Sequence, residues 1–406
     1  MRRGIITVGL GFGDEAKGAT VDFLCRQLKA DLVVRYSGGS QCGHNVQLPD
    51  GFTHTFSQFG AGTLAGVDTY LGEQVIINLP ALHKEAEHLQ QKLPVRPLSY
   101  LTFHPKCLVS TVYHQMLNQV KSAGKFDTCG HGIGETRSYW LKHGMDAIFA
   151  EDLKNKSTLK HKMELLRQRS YTELGSAINS ISSRHEAHRL WDLGSDLALD
   201  EHVPMVDTVI FEGSQGVLLD EWYGFHPYTT WSTVTPYHAL EMVEDQLGLE
   251  DVKVLGVTRT YATRHGKGPL PTYSEQLTEK FRDPNNPTNE WQGDLRCGYL
   301  DLPLLKYAAD ICKDSCGRGV DGLVVNHLDQ VDRNTMVYDG GWWWPPPSPN
   351  LKLSDRMAVS LMLVSKLSII GVDVQELKDL LSQIAPIMIE GSGPTHKDRA
   401  LTDKFK

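Results

Sequence analysis

No stretch of the sequence approaches the roughly 18 consecutive apolar residues that a membrane-spanning helix needs, and the opening MRRGIITVGL runs into a glycine-rich turn instead of a cleavage signal. A soluble, cytoplasmic protein with no membrane partner is expected. Positive charge is also short: Lys plus Arg number 41 against 49 for Asp plus Glu, a net charge of −8. That sign argues against tracking of a nucleic-acid polymer, although a local basic pocket for one phosphate stays open. Cysteine supplies no framework. Seven is an odd count, and the nearest pair, Cys312 and Cys316, lies one helical turn apart with no second pair to complete a metal site. Reduced, mostly buried thiols are expected. No long segment lacks apolar residues, and 406 residues with 40% hydrophobic content can build a core without a disulfide or zinc staple.

Short apolar runs alternate with helical patterns, which predicts an α/β fold: one large domain over 1–406 with a mixed, mostly parallel central sheet covered by helices. Residues 4–10 (GIITVGL) read as a strand; Val21, Leu24, Cys25 and Leu28 recur at helical spacing; Leu32 to Tyr36 is again strand-like. Further strands are expected at Thr208–Glu212, Val252–Thr258 and Gly322–Val325, followed at once by GSQG, TRTYATRHGKG and NHLD. In open α/β sheets ligands sit beyond the carboxyl ends of the strands, so these segments are where chemistry is expected. Residues 150–200 read as a helical excursion. Residues 281–300, rich in Pro and Asn, read as a long loop, its 281–298 portion a substrate loop. Trp342–Trp344 and Pro345–Pro347 read as an extended surface segment.

Two clusters carry chemistry. Gly9-Leu-Gly-Phe-Gly13-Asp14-Glu15-Ala16-Lys17-Gly18 stands between the first strand and the first helix, where backbone N–H groups and the helix N-terminus favour an anion. It is neither the dinucleotide fingerprint nor a P-loop, since the third glycine and the closing Gly-Lys-Ser/Thr are missing. Acids beside a phosphate site are unfavourable unless a metal bridges them or one of them takes a proton. The second cluster runs from Arg35 through Gly38, Gly39, Gln41, Cys42, Gly43 and His44 to Asn45, and places a titratable histidine on a glycine-rich turn.

With these motifs the chain resembles the adenylosuccinate synthetases. GFGDEAKG is similar to that family's Gly-Asp-Glu-Gly-Lys-Gly signature, and GGSQCGHN to its Gly-Gly-x-Asn-Ala-Gly-His-Thr. Thr128–Gly134, Phe211–Asp220, Pro227–Thr230, Thr263–Thr272, Gly298–Asp301, Leu328–Asp329 and Ser392–Pro394 follow in family order across nearly the whole chain. The resemblance implies a C–N ligase that joins L-aspartate to C6 of a purine monophosphate in two steps driven by GTP and Mg²⁺. It implies Asp14 as the base that takes the N1 proton and as a Mg²⁺ ligand together with Gly43. His44 would act on the 6-oxygen and its phosphoryl group, Lys17 on the transferring phosphate, and Gln215 on the purine and its 6-oxygen. The nucleoside triphosphate would meet Gly13, Glu15, Lys17, Gly43, His44 and Asn45, with Asp329, Ser392, Gly393 and Pro394 at its base. The monophosphate would meet Gln41, Thr128, Cys129, Lys142, Gln215 and Thr230. A homodimer in which Lys142 reaches the neighbouring site is implied as well.

The departures are informative. The family's arginine-rich aspartate loop is replaced by Asn289-Glu-Trp-Gln-Gly-Asp-Leu-Arg296, in which Gln292, Gly293 and Arg296 are left to hold aspartate. The family's purine-facing Asn is Gln41, a Thr of its phosphate site is Cys129, and its dimer-crossing Arg is Lys142, which keeps charge without the bidentate fork. Loss of a ribose-hydroxyl contact resembles the bacteriophage branch, which uses dGMP and makes a succinylated 2-aminoadenine precursor, in a host cytoplasm. Retention of Asp14, where many phage members carry a smaller residue, is a point for the alternative, IMP to adenylosuccinate. GTP, ATP or dATP remains open as donor, with Asp329 favouring guanine. Two other classes stand behind these: an inactive nucleotide-binding protein, which would release no phosphate, and a Rossmann dehydrogenase, which lacks its ribose-binding acid.

Overall fold

The computed structural model describes residues 2–123, 128–282, 291, 293–332, 334–340 and 369–406. Apolar runs form its centre. β1 (Arg3–Gly9) is buried from Gly4 onward and has a partner on each side, as a strand without polar alternation must. α1 (Lys17–Leu28) follows, and β2 (Leu32–Arg35) returns beside the strand Thr208–Gly216. The full sheet has ten strands in the order Arg399–Leu401, Ile387–Gly391, Gly322–Asn326, Asp251–Arg259, β1, Thr208–Gly216, β2, Asp68–Leu71, Leu101–Phe103, Ala198–Leu199. Every neighbouring pair is parallel except the antiparallel edge made by Arg399–Leu401. The mixed, mostly parallel α/β architecture is therefore as expected, and parallel strands bring their carboxyl ends to one side.

Ile5, Val21, Leu24, Val33, Ile210 and Val324 lie in the core on one face of the sheet; Ile6, Val8, Val34, Phe211, Val254 and Val325 lie in the core on the other. The alternation within single strands is the period of two expected of a sheet buried on both faces. Helices Lys156–Leu174 and Ser183–Gly194 occupy the 150–200 region. Leu159, Met163 and Leu166 are fully buried in the first of these cores, so this region is welded to the main fold. Each such side chain contributes about 1.5–3 kcal/mol.

Three local expectations need correction. The GSQG segment does not leave the sheet: the strand runs on to Gly216, because Gly216 still pairs with Gly9 across a register shift. The TRTYATRHGKG segment holds a second strand, Tyr261–His265, in a smaller sheet with Leu295–Asp301, Met336–Tyr338 and Ile369–Gly371. The last six positions of the expected 281–300 loop belong to the strand Leu295–Asp301, whose five paired positions against Tyr261–His265 outweigh its poor local signal. The Trp342–Pro347 segment lies outside the described residues.

Candidate active site

The carboxyl ends of β1, β2, Thr208–Gly216, Asp251–Arg259 and Gly322–Asn326 open into a cleft of about 870 Å³. Asp14, Lys17, His44 and Gln215 all line it. Gly13, Glu15, Gln41, Gly43 and Asn45 join them on the side of the glycine turns. Thr128, Cys129 and Thr230 lie along the cleft, as do Asp329, Gly393 and Pro394. The structure thus brings together residues from segments more than 300 positions apart. It does not bring in Ser392, Gly293, Arg296 or Lys142. Lys142 is exposed near the end of helix Ile133–His143, and Arg296 donates from Nη2 to the Gly268 carbonyl at 3.0 Å. Gln292 lies outside the described residues.

The glycine loop is built differently from the simplest expectation. Glu15 turns its carboxylate back into the loop, where Oε1 accepts from Gly11 N–H at 3.0 Å and Gly13 N–H at 2.8 Å. Its Oε2 pairs with Lys17 Nζ at 2.6 Å, and the two side chains are only 4% and 2% exposed. A β-carbon on Gly9, Gly11 or Gly216 would come within 2.9 Å of this carboxylate, so those glycines leave room for Glu15. The bracket holds Asp14 and Ala16 in the left-handed region, at φ 61° and 67°. Such residues cost on the order of 1–3 kcal/mol each and persist only where the surroundings over-determine them. Asn326 adds to that determination by donating from Nδ2 to the Glu15 carbonyl at 3.0 Å.

This conformation projects Asp14 into the cleft, with Oδ2 2.8 Å from His265 Nε2 in an ion pair. Burial alone would raise the Asp14 pKa, but His265, Arg259 and Lys17 outweigh it and lower it from 3.8 to about 2. The carboxylate is ionised at any working pH. Asp14 and Gly43, the positions implied for Mg²⁺, both line the cleft. Among the described residues no three His, Cys, Asp or Glu cluster as a metal cage. One ionised carboxylate beside backbone carbonyls suits Mg²⁺, which keeps its waters and takes most of its other ligands from substrate phosphates.

His44 opens the hairpin of β3 (His44–Gln47) and β4 (Thr53–Phe56). Its Nδ1 is hydrogen-bonded to Glu212 Oε1, and its Nε2 stands 3.3 Å from the Ser214 carbonyl. Glu212 is wholly buried and takes a further hydrogen bond from Ala61 N–H at 2.9 Å. Burial lowers the His44 pKa, with Glu212 opposing. Burial would raise Glu212, yet Arg35 and His44 keep it below the usual glutamate value. Glu212 lies within a motif visible in the sequence, but nothing in the chain order tells that its carboxylate reaches His44.

Reading for glycine turns and titratable groups also missed the cations opposite. Arg259, Arg264, His265, Lys267 and Arg399 line the cleft. Among the described residues the Arg264 guanidinium donates to three carbonyls, those of Lys267, Pro269 and Tyr228, and to no carboxylate. Burial, aided by the neighbouring Arg296, lowers its pKa to about 9. The arrangement holds an ionised base, a histidine on a buried carboxylate and a bank of cations around a cleft of nucleotide size, which suits phosphoryl transfer between bound anions.

The seven cysteines are free, five of them buried, and none of the helices among the described residues is long and apolar enough to cross a membrane. The family model described as adenylosuccinate synthetase matches residues 6–338. The adenylosuccinate synthetase of Francisella philomiragia is 31% identical over 337 residues, 75% of this chain and 74% of that one. That of Francisella tularensis is 30% identical over the same length and shares. Among solved structures, the fully ligated adenylosuccinate synthetase of Plasmodium falciparum superposes with a TM-score of 0.79 at 20% identity, covering 98% of this chain and 99% of that one. The succinoaminodeoxyadenylate synthetase of cyanophage S-2L, bound to dGMP and dATP, superposes with a TM-score of 0.59 at 16% identity, covering 99% and 96%. With four fifths of its length matched by the family model and 31% identity to a curated member over three quarters of the chain, the chain belongs to the adenylosuccinate synthetase family of C–N ligases.

Proposed function

We propose that this ligase joins L-aspartate to C6 of dGMP, forming the succinylated precursor of 2-aminoadenine deoxynucleotide, with a nucleoside triphosphate as phosphate donor. The observation that carries the reading is the position of Arg296. It is the one cation left in the rebuilt segment 289–301, and its guanidinium is directed to Gly268 and not to the cleft. No arginine of that segment is thereby offered to a ribose 2′-hydroxyl, which a 2′-deoxy sugar does not need. The cyanophage enzyme of the same fold, described with dGMP bound, supports the reading as an instance of this scaffold holding that nucleotide.

The residues divide the work as follows. Asp14, ionised, accepts the N1 proton so that the 6-oxygen becomes a nucleophile toward the γ-phosphate. Glu212 steadies a second proton on His44, so the ring can donate from Nε2 as negative charge grows on the phosphoryl group. Lys17 and the N–H groups of Gly43 to Asn45 offset the same charge, and aspartate then displaces phosphate from C6. Bound Mg²⁺, held by Asp14 and the Gly43 carbonyl, would neutralise charge on the donor phosphates. Arg264 and Lys267 offer the aspartate carboxylates cations that the sequence reading assigned to Arg296. At the far end Asp329 favours a guanine donor, and Lys142 would act in a homodimer.

Retention of Asp14 and about 30% identity to bacterial adenylosuccinate synthetases favour the second reading, IMP as acceptor. The two separate in one assay: purified protein with Mg²⁺, aspartate and GTP or ATP, offered dGMP, GMP, IMP or dIMP, with the succinyl adduct detected by mass. Adduct from dGMP and little from IMP is expected. The reverse identifies an AMP-forming enzyme, and no adduct from any of them leaves an inactive nucleotide binder.

A further inference from the structure

The hairpin that opens with His44 has two faces. Thr53 and Thr55 of β4 line the cleft, and the alternate residues His54 and Phe56 are buried on the other side. There His54 meets His88 of the helix Leu79–Leu89: Nδ1 stands 2.6 Å from Nδ1, with the rings 16° from parallel. One ring must donate and the other accept, so the contact needs at least one unprotonated Nδ1. Glu85 of the same helix stands 3.8 Å from His54 Nε2 and accepts from the N–H groups of Ser57, Gln58 and Phe59, the chain that leaves β4. Phe52 stacks on His88, and beyond its ring Lys92 pairs with Asp50 at 2.7 Å. The helix also carries Lys84 and Glu87, near His88 in the chain.

We propose that His54 and His88 are a positioning pair that seats this wall of the cleft, and that acid unseats it. Once both rings are protonated, both Nδ1 atoms carry hydrogen and face each other as like charges, so the hydrogen bond between them is lost. His54 is 4% exposed, so solvent does little to relieve the second charge. The fold already resists that proton: burial first, and His54 next, hold the His88 pKa below 6.5. His88 therefore binds its proton more weakly folded than unfolded, and the folded state loses stability as pH falls below 6.5. Release of the pair frees β4, and β3 moves with it, because His44 pairs with Phe56 and Val46 with His54. Those pairs carry the disturbance to His44 and Asn45, which line the cleft. The inference holds for either acceptor nucleotide, since it concerns the wall of the cleft and not the base.

The test follows the full, ligand-free chain across the histidine titration range by NMR and by amide hydrogen exchange corrected for its intrinsic rate. The His88 ring should titrate below pH 6.5. As pH falls through that midpoint, exchange at residues 53–59 should quicken about fivefold or more, the worth of one hydrogen bond. The amide shifts of His44 and Asn45 should move with the same midpoint. His88→Asn, whose amide can still hydrogen-bond from that position and does not titrate, should abolish both responses. A His88 midpoint at or above pH 6.5, exchange that does not quicken there, or the same responses in His88→Asn overturns the inference. Exchange that quickens while the His44 and Asn45 amides stay still gives the pair a structural role alone and overturns it as well. Should His88→Asn not fold, the parent protein decides: the three responses must share one midpoint, and separate midpoints overturn the inference.

Discussion

His265 Nε2 stands 2.8 Å from Asp14 Oδ2, an ion pair between the short strand Tyr261–His265 and a loop residue held at φ 61°. Burial of Asp14 acts against its ionisation, so its low pKa depends on this imidazole and on the charges of Arg259 and Lys17. With a folded pKa of about 2 against 3.8, the ionised carboxylate contributes about 2 kcal/mol of stability, present above pH 3.8 and lost as pH falls through 2. His265→Ala should let the pKa rise to 3.8 or beyond. The acid limb of the pH–rate profile should move up by more than one pH unit, and an unmoved limb would show that His265 does not tune the base.

Glu212→Gln keeps the shape beside His44 and removes the charge that steadies a second proton on the ring. Turnover should fall about 10²- to 10⁴-fold with little change in monophosphate KM, since the loss is felt in the transition state. Stopped-flow measurement of the first phosphoryl transfer checks it; equal loss in KM and kcat would point to a disturbed binding site.

Glu15→Ala removes the bracket of the glycine loop and leaves the Lys17 ammonium, 2% exposed, without its carboxylate. A buried charge stripped of its partner costs about 3–5 kcal/mol. Thermal unfolding should show a loss of that order together with loss of triphosphate binding, whereas Glu15→Gln, which still accepts from Gly11 and Gly13, should lose less stability. Equal stability of Glu15→Ala and the parent would mean that the bracket is not what holds the loop.

Asp301 caps the helix Leu302–Cys316 by accepting from Leu304 N–H at 3.0 Å, and burial raises its pKa from 3.8 to about 7. A carboxyl with a raised folded pKa favours folding below pH 3.8, and that advantage is lost as pH rises through about 7. Asparagine caps equally well and does not ionise. Asp301→Asn should therefore be more stable than the parent at pH 8, by about 2–4 kcal/mol, and equal to it at pH 4. Urea unfolding at the two pH values decides; a variant less stable at pH 8 would show that the charge is used.

Arg264 lines the cleft with no carboxylate partner for its hydrogen bonds among the described residues, while Arg296 is outside that lining and donates to the Gly268 carbonyl. Arg264→Gln should raise the aspartate KM about tenfold or more, and Arg296→Leu should raise it less. The opposite order in steady-state kinetics would return the amino-acid site to the rebuilt loop.

The sequence by itself determined the α/β class, the central strands and the segments in which chemistry lies. Those features depend on local pattern: an unbroken apolar run such as GIITVGL, helical spacing after it, glycine turns at strand ends. Motif order then carried the family. What only the tertiary structure decided were relationships between residues far apart in the chain. Glu212 on His44, His265 on Asp14 and Arg264 across the cleft are set by parallel pairing and by a second sheet. The strand Leu295–Asp301 was hidden because its stability comes from its partners and not from its own residues. The glycine loop shows both limits at once: its glycines were legible as a place of close approach, yet the anion that approaches them in this structure is the chain's own Glu15, a contact that exists only once Gly9, Gly11 and Gly216 meet in space.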